Sequence, residues 1–196
     1  MAIRADGEEP GERKARRASL TDDIARIVLA DGLSELGLRG LAARLSTSGR
    51  MLLYYFGTKE ALVVAVLTRI SEQMGVIQSA EFSGALLTPG AFLGRVLELA
   101  RSPEIVPFMR AWTEVVARGA RGEAPYDSFA AHTVGEWITW IDSRLLPASR
   151  RPGQAAAILA IVDGITLLEM ARPGTTIQAQ TLLPGLLDGT GPTDGV

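Results

Sequence analysis

The residues with the most distinctive chemistry lie between Thr47 and Lys59, in the run TSGRMLLYYFGTK. Advancing about 100° per residue, as in an α-helix, places Leu52, Leu53 and Phe56 on one side. The opposite side carries a cation, a thioether and two phenols: Arg50, Met51, Tyr54 and Tyr55. An arginine donates paired hydrogen bonds to guanine, and a methionine offers an apolar surface to a thymine methyl group. The pattern predicts a helix that is buried on one side and suited to base recognition on the other.

Groups that suit a phosphate backbone flank these side chains. Thr47 or Ser48 can cap the helix N-terminus, and Gly49 leaves the neighbouring backbone amides unshielded. Lys59, Arg39 and the cluster from Arg13 to Arg17 add positive charge, whose attraction to DNA is screened by salt. As alternatives, a tyrosine can pack along a neighbouring helix with its hydroxyl in water, and Arg39 or Arg44 can lie on a plain solvated face. The N-terminal basic cluster can equally be a disordered arm.

Charge is unevenly distributed along the 196 residues, although the net charge is only −2. From Arg13 to Lys59 there are nine Lys and Arg against four Asp and Glu, a net charge of +5. From Glu60 onward there are ten Arg and no Lys against fourteen Asp and Glu, a net charge of −4. The first segment therefore has the charge expected of a nucleic-acid binder, while a chance imbalance on a solvated surface is the alternative.

Several classes of enzyme are excluded by residue types that the chain lacks. There is no cysteine, only one histidine, no glycine-rich phosphate loop and no G-x-S-x-G elbow. We expect no catalytic residue, no metal site and no cofactor. The remaining catalytic hypothesis is a helical enzyme in which His132 acts with Glu136 or Glu114 as a base.

Apolar residues recur at three and four positions, which predicts an all-α fold. The first helix is expected from about Gly11 to Asp31, with Leu20, Ile24, Ile27 and Val28 inward and Gly32 at its end. Two short helices follow, 38–45 and a third ending at Phe56, and a fourth begins after Thr58. Two short helices joined by a three- or four-residue turn match the helix-turn-helix layout.

The run from Leu38 to Leu62, LRGLAARLSTSGRMLLYYFGTKEAL, resembles the DNA-binding domain of the tetracycline-repressor (TetR) family. The resemblance covers about residues 13–67, and Lys59 is similar to a phosphate-gripping lysine of that family. Three positions depart from the pattern. Ser46 stands where the family has a turn glycine, Leu53 replaces a tyrosine that often touches phosphate, and Gly37 replaces a capping threonine or serine.

The resemblance implies a homodimeric transcriptional regulator of double-stranded DNA. We expect a repressor that binds a palindromic operator and leaves it when a small apolar effector binds; activation, or DNA binding without an effector, is the alternative. The expected organisation is a disordered arm at 1–12, a three-helix DNA-binding domain at 13–60 with its motif at about 37–56, a helical ligand-binding and dimerisation domain at 61–188, and a flexible tail at 189–196.

Five further helices are expected in the C-terminal part, at about 89–101, 103–118, 125–146, 152–172 and 175–187. Aromatic and other large side chains cluster in the two middle helices, where they predict either a plain core or a mostly apolar ligand cavity. The candidate cavity residues are Phe108, Met109, Trp112, Phe129, His132, Trp137 and Trp140.

The helix near Gln154–Ala171 is apolar nearly all round, which predicts burial on more than one side and hence a partner helix. The candidate dimer interface is Ala156, Leu159, Ala160, Asp163, Leu167, Leu182, Leu183 and Leu186. Pro184 is expected to kink or shorten the last helix. A monomer with a large core is the alternative.

The longest uninterrupted apolar runs are too short to cross a bilayer and no secretion signal is evident, so we expect no membrane association and a cytoplasmic location.

Overall fold

The computed structural model describes residues 10–84 and 86–189. Within these ranges the chain is helical, apart from its turns and an isolated parallel β-bridge between Leu87 and Leu145. The expected N-terminal arm is corrected in part, because residues 10–12 already belong to the first helix. The remainder of that arm, 1–9, and the predicted tail from residue 190 lie outside the described residues.

The chain divides into two compact units. The first contains the described residues up to Val76 together with Arg110–Phe129. The second contains Ile77–Met109 and the described residues from Ala130 onward.

The first unit begins with the predicted series of short and long helices and with a 3₁₀-helix that was not predicted. In chain order these are α1 (Pro10–Asp31), a 3₁₀-helix (Leu33–Glu35), α2 (Leu38–Arg44), α3 (Gly49–Phe56) and the beginning of α4 (Lys59–Glu81). Pro10 suits the first position of a helix, where its missing N–H is not needed. Gly32 ends α1 at φ 94°, a conformation that favours glycine. At Gly57 and Thr58 the chain turns by 71° between α3 and α4.

Apolar residues spaced three or four apart form the core of this unit. The most deeply buried, each no more than 2% exposed, are Leu20, Ile24, Ala25, Val28, Leu33, Leu36, Leu41, Leu52, Leu62, Val63, Val66, Leu67 and Val115. Ile27, predicted to face inward, is only partly buried. The short helix α3 packs against both α1 and α2. Its orientation is therefore set by burial of Leu52 and Phe56 against these neighbours.

The turn between α2 and α3 explains how the chain accommodates Ser46 in place of glycine. The Thr47 amide donates to the Ala42 carbonyl (2.9 Å) and the Ser46 amide to the Ala43 carbonyl (3.4 Å). This pair of bonds defines a Schellman motif, whose residue after the C-cap adopts a left-handed conformation. Ser46 occupies that position at φ 50° and is the positive-φ residue other than glycine among the described residues. The turn is thus built as in a glycine-containing sequence, at some cost in backbone strain.

The second unit is built from the end of α4 and five further helices, of which two are shared with the first unit. They are α5 (Pro89–Ala100), α6 (Val106–Gly119), α7 (Tyr126–Arg144), α8 (Gln154–Ala171) and α9 (Ile177–Asp188), with a 3₁₀-helix at Pro147–Ser149. The helix predicted to start at Pro103 begins only at Val106. The amides of Ile105 and Val106 both donate to the Ser102 carbonyl, which forms a turn ahead of the helix.

The expectation that Pro184 would kink or shorten the last helix is wrong as regards length, because α9 continues past it to Asp188. Close packing on α5 offers the physical reason. The Pro184 carbonyl lies so near Gly90 that a β-carbon there would clash with it. The Asp188 carboxylate then accepts hydrogen bonds from the Thr88 hydroxyl and the Gly90 amide, both at 2.8 Å. Together these contacts hold the last turn of α9 in place.

Helix α8 is apolar enough and long enough, by composition and length alone, to cross a membrane, and a third of it is buried. A core helix of a water-soluble protein meets the same criteria, so this finding is weak evidence for a membrane span. Ala155, Ile158, Leu159, Val162 and Ile165 form its buried side. Since both α8 and α9 pack against α5, these helices form one layer of the second unit.

Candidate nucleic-acid interface and ligand cavity

The two sides of α3 differ as the periodicity predicts, with one exception. Leu52 is fully buried and Phe56 is 6% exposed, whereas Arg50 is exposed and Met51, Tyr54 and Tyr55 are half-buried. Leu53 was expected on the buried side but is 37% exposed. Leu53 lies at the edge of the buried face of α3. This helix of eight residues is too short for its neighbours to cover that edge.

The N-terminus of α3 is capped by a side chain. Ser48, rather than Thr47, caps it: the Ser48 Oγ accepts a hydrogen bond from the Met51 amide at 3.1 Å. That oxygen acts as an acceptor here, so the hydroxyl hydrogen remains suited to a phosphate oxygen. A β-carbon on Gly49 would meet only Leu38 at an ordinary 3.8 Å, so packing does not require glycine there.

Positively charged side chains surround this helix. Arg39, Arg50 and Lys59 are exposed, while Thr47 is half-buried. Arg44, for which a solvated role was an alternative, forms a 2.6 Å ion pair with Asp31 at the end of α1. The basic cluster at the start of α1 is helical rather than a disordered arm.

Two arginines of that cluster lie against α3. The Arg13 guanidinium donates to the Tyr54 carbonyl at 3.0 Å and stacks over the Tyr54 ring, 4.7 Å from its centroid. Arg17 lies over the Phe56 ring at 5.2 Å. The Tyr54 and Tyr55 rings meet edge to face, with centroids 5.1 Å apart. From the sequence these arginines count only as diffuse charge, because no local pattern connects residues 41 positions apart.

Glu114, proposed as a partner of His132 in the catalytic hypothesis, has a structural role within the first unit. Its carboxylate accepts a hydrogen bond from the Leu33 amide at 3.1 Å and lies directly against Gly32. His132 and Glu136 are both exposed on α7. Among the described residues there is no cluster of three side chains suited to a metal ion. The exposed pair His132 and Glu136 does not form an enclosed site for acid–base chemistry.

The second unit contains a cavity of about 50 Å³. This volume exceeds the ~10–15 Å³ that one water molecule needs. Gln78 is the polar residue in the wall of the cavity. The other lining residues are Phe92, Val96, Trp137, Trp140, Ile141, Ile158, Leu159 and Val162. Next to it, Phe82, Phe92 and Trp140 form an aromatic cluster with centroids 5.1 to 5.6 Å apart.

Only two of the seven candidate cavity residues, Trp137 and Trp140, line this cavity. Met109 and Trp112 are buried elsewhere, and Phe108 and Phe129 are half-buried. The contributions of α5 and α8 are not evident from the sequence, since their Phe92, Ile158 and Val162 have the ordinary spacing of core residues. Which of them border a void depends on how the helices pack.

Helices α8 and α9 carry an exposed apolar face, defined here as Leu167, Leu168, Met170, Ile177, Leu182 and Leu186, which are 36% to 62% exposed. Of the predicted interface residues, Ala156, Ala160, Leu167, Leu182 and Leu186 are exposed, and Asp163 and Leu183 are half-buried. Leu159 differs, because it is 7% exposed and lines the cavity instead.

Glu169 fixes the connection between these two helices. Its carboxylate accepts hydrogen bonds from the Thr176 hydroxyl (2.5 Å) and from the amides of Gly174 and Thr176 (both 2.7 Å). Hydrogen bonds stabilise the charged form of a carboxylate, and those from Thr176 and Gly174 lower the pKa of Glu169 below its ordinary value. The first turn of α9 is thereby attached to the end of α8.

These features define an all-helical protein with a helix-turn-helix, a small apolar cavity and an uncovered apolar face. No protein-family model and no curated protein matches the chain. Several solved protein chains share its fold. One is a protein from Rhodococcus sp. assigned to the TetR family of transcriptional regulators, with a TM-score of 0.69 and 23% identity over 91% of this chain and 100% of the other.

The second structure is the multidrug binding protein EbrR in complex with imidazole, with a TM-score of 0.67 and 20% identity over the full length of both chains. At these identities the likeness concerns the fold. This protein therefore has the fold of these two proteins along almost all of its length, and the all-α fold predicted from its sequence is confirmed.

Proposed function

We propose that this protein is a DNA-binding transcriptional regulator. In this proposal a homodimer represses transcription by binding a palindromic operator, and a small apolar effector releases it. The observation that carries the proposal is the uncovered side of α3, where Arg50 is exposed beside the half-buried Met51, Tyr54 and Tyr55. A cation, a thioether and two phenols on one helix face suit a DNA groove better than a protein core.

The contacts divide into two groups. Arg50 and Met51, in the first turn of α3, are proposed to contact base edges. The groups proposed to bind the sugar–phosphate backbone are the main-chain amides near Gly49 and the side chains of Arg39, Thr47, Ser48, Tyr54, Tyr55 and Lys59. The domain division at about residue 60 also belongs to this proposal, with residues 13–60 binding DNA and 61–188 serving dimerisation and effector binding.

Dimerisation is supported by the exposed apolar face of α8 and α9. Leu167, Leu182 and Ile177 are each about half exposed or more, which is unusual for several large aliphatic side chains on two consecutive helices. Pairing with the same face of a second copy would bury them, and a two-fold axis repeats α3 on the other protomer. Such a dimer matches half-sites about one DNA turn apart. Because a second copy would cover this face, membrane insertion is not required to bury it. The proposed location is the cytoplasm, where the operator DNA lies.

The effector proposal rests on the cavity of the second unit. Its walls are aromatic and aliphatic with Gln78 as a polar group, which suits an apolar molecule. At about 50 Å³ the cavity must widen before an aromatic ring can enter, since a cavity that holds benzene measures about 150 Å³. Release then requires that the effector bind the DNA-free conformation more tightly, and DNA must weaken effector binding by the same factor.

DNA binding is tested by fluorescence anisotropy with the DNA upstream of the protein's own gene and a shuffled duplex of equal composition. The expected result is saturable binding that prefers the natural sequence and weakens as salt rises. Equal affinity for both duplexes, or no binding at low salt, would contradict the proposal.

Effector binding is tested by a thermal-shift screen of small neutral aromatic compounds. Val96→Leu narrows the cavity, while Val64→Leu makes the same change at a valine that is 40% exposed on α4. A compound that stabilises the wild type and Val64→Leu, but not Val96→Leu, binds in the cavity. Equal stabilisation of all three proteins places it elsewhere.

A further inference from the structure

Arg13 of α1 and Tyr54 of α3 make two distinct contacts. The guanidinium donates to the main-chain carbonyl of Tyr54 at 3.0 Å and also covers its ring, at 4.7 Å from the centroid. A planar guanidinium can serve both contacts at once because it carries five N–H donors around a delocalised, stackable plane. Lysine has no equivalent geometry.

The carbonyl that Arg13 contacts lies in the last turn of α3. The final carbonyls of a helix have no amide partner within it, and a cation near this end is favourable. Gly57 donates its amide to the Leu53 carbonyl at 2.8 Å, and Arg13 serves the next carbonyl along. With only eight residues, α3 depends on such contacts from outside for its stability.

The ring contact restrains the tyrosine side chain. Arg13 covers one face of the Tyr54 ring, and Tyr55 meets Tyr54 edge to face at 5.1 Å. Tyr54 is therefore held between a cation and a second aromatic ring before any ligand arrives. Pre-organisation of this kind reduces the entropy lost when a side chain binds.

We infer that Arg13 and Tyr54 form one phosphate-binding unit, in which Arg13 positions the tyrosine and also gives its remaining N–H donors to the same stretch of DNA backbone. This inference rests on the proposed function. Arg13 is exposed, so donors not used by the Tyr54 carbonyl are accessible to an anion. Arg13 thus positions the Tyr54 side chain in addition to contributing positive charge. A solvated arginine of the same cluster contributes charge alone.

The test compares Arg13→Ala, Arg13→Lys and Arg16→Ala, with Tyr54→Leu for a double-mutant cycle. Arg16 is an exposed arginine on the same helix, so its removal changes the net charge equally. Affinity for the operator is measured by anisotropy at fixed salt. Arg13→Ala is expected to weaken binding about 5- to 30-fold, since a stacked cation contributes roughly 1–2 kcal/mol. Arg16→Ala should cost less, and Arg13→Lys should remain closer to Arg13→Ala than to the wild type.

The double mutant supplies a readout that charge alone does not change. In the Tyr54→Leu background, removal of Arg13 should cost less than it does in the wild type, because the ring contact is already lost while the main-chain carbonyl of residue 54 remains. Thermal unfolding of each variant separates loss of binding from loss of folded protein. Equal losses for Arg13→Ala and Arg16→Ala, additive with Tyr54→Leu, would overturn the inference while leaving the proposed function intact. Failure of the wild type to bind specific DNA would overturn both.

Discussion

Two helical surfaces of this protein are at least partly exposed, and their chemistry differs. On α3 the solvent-facing residues are the exposed Arg50 and the half-buried Met51, Tyr54 and Tyr55, which combine charge, hydroxyl groups and aromatic rings. On α8 and α9 they are aliphatic, with Leu167, Ile177 and Leu182 as the most prominent. A polar, cationic surface retains favourable contacts with water when it is free, whereas a leucine surface does not.

This difference indicates what each surface is for. The α3 surface suits a charged partner that associates and dissociates as salt or an effector changes. The apolar face suits a lasting contact, because burial contributes about 25 cal/mol per Å² and obligate dimer interfaces are the more hydrophobic class. Four variants test this comparison, beginning with the largest expected effect.

Combining Leu167→Glu with Leu182→Glu places two carboxylates on the apolar face of each protomer. We expect a monomer, because four like charges would meet at the proposed interface, and operator affinity should fall by more than about 100-fold with the loss of bivalent binding. Analytical ultracentrifugation and anisotropy measure the two effects. Val76→Glu, at a valine 71% exposed on α4, should leave both unchanged. A double variant that remains dimeric would show that this face has another occupant.

Arg50→Ala removes the proposed base contact while keeping α3 folded, since the side chain is exposed. We expect a loss of about 1–3 kcal/mol in operator affinity, or roughly 5- to 150-fold, with little change in affinity for shuffled DNA. Arg26→Ala is the control, because its guanidinium is also exposed but pairs with Asp23 on α1. If both variants lose affinity equally on both duplexes, Arg50 contributes charge and no sequence recognition.

Glu169→Gln tests how much the hydrogen bonds of the Glu169 carboxylate stabilise the connection between α8 and α9, the two helices that carry the apolar face. Because hydrogen bonds lower the pKa of Glu169, its contribution to stability is present above its ordinary pKa and is lost as pH falls through the lowered value. The variant should therefore be less stable than the wild type at pH 7, and the difference should shrink at strongly acidic pH. Thermal unfolding across pH measures this, with the exposed Glu104→Gln as control. A difference that does not depend on pH would contradict the assignment.

Ser46→Gly has the smallest expected effect and concerns the turn that orients α3. Relief of the left-handed conformation gains about 1 kcal/mol, and the added freedom of the unfolded chain offsets about half of it. A net stabilisation near 0.5 kcal/mol with unchanged operator affinity is expected from urea unfolding. Ser46→Val should destabilise the protein, because a β-branched side chain fits φ 50° poorly. Stabilisation by valine would show that the turn differs from the one described.

The sequence and the structure agree best where a local pattern decides the outcome. The spacing of Leu20, Ile24 and Val28 predicted a buried helix face, and all three residues are buried. Ser48 and Thr58 were both expected to cap helices, and both accept a hydrogen bond from a main-chain amide three residues further on. The exceptions have local causes of their own. Leu53 lies at the edge of the buried side of α3, and the turn at Ser102 delays the start of α6 by three residues from the expected Pro103.

The cavity was predicted less well than the DNA-binding helix. A helix face follows from periodicity, so Arg50 and Leu52 could be assigned to opposite sides from the sequence. A cavity exists only where side chains from several helices fail to fill the space between them, and periodicity does not specify these gaps. That is why Trp137 and Trp140 were identified, but Phe92 and Val162 were not.

The sequence by itself determined the helical fold, the order of the helices and the two-sided character of α3, because these follow from interactions within a few residues. The tertiary structure alone decided that Arg13 lies against Tyr54, that Glu114 binds the turn after α1, and that α9 runs through Pro184 beside Gly90. Each of these contacts joins residues distant in the chain, and its formation depends on packing that no local pattern records.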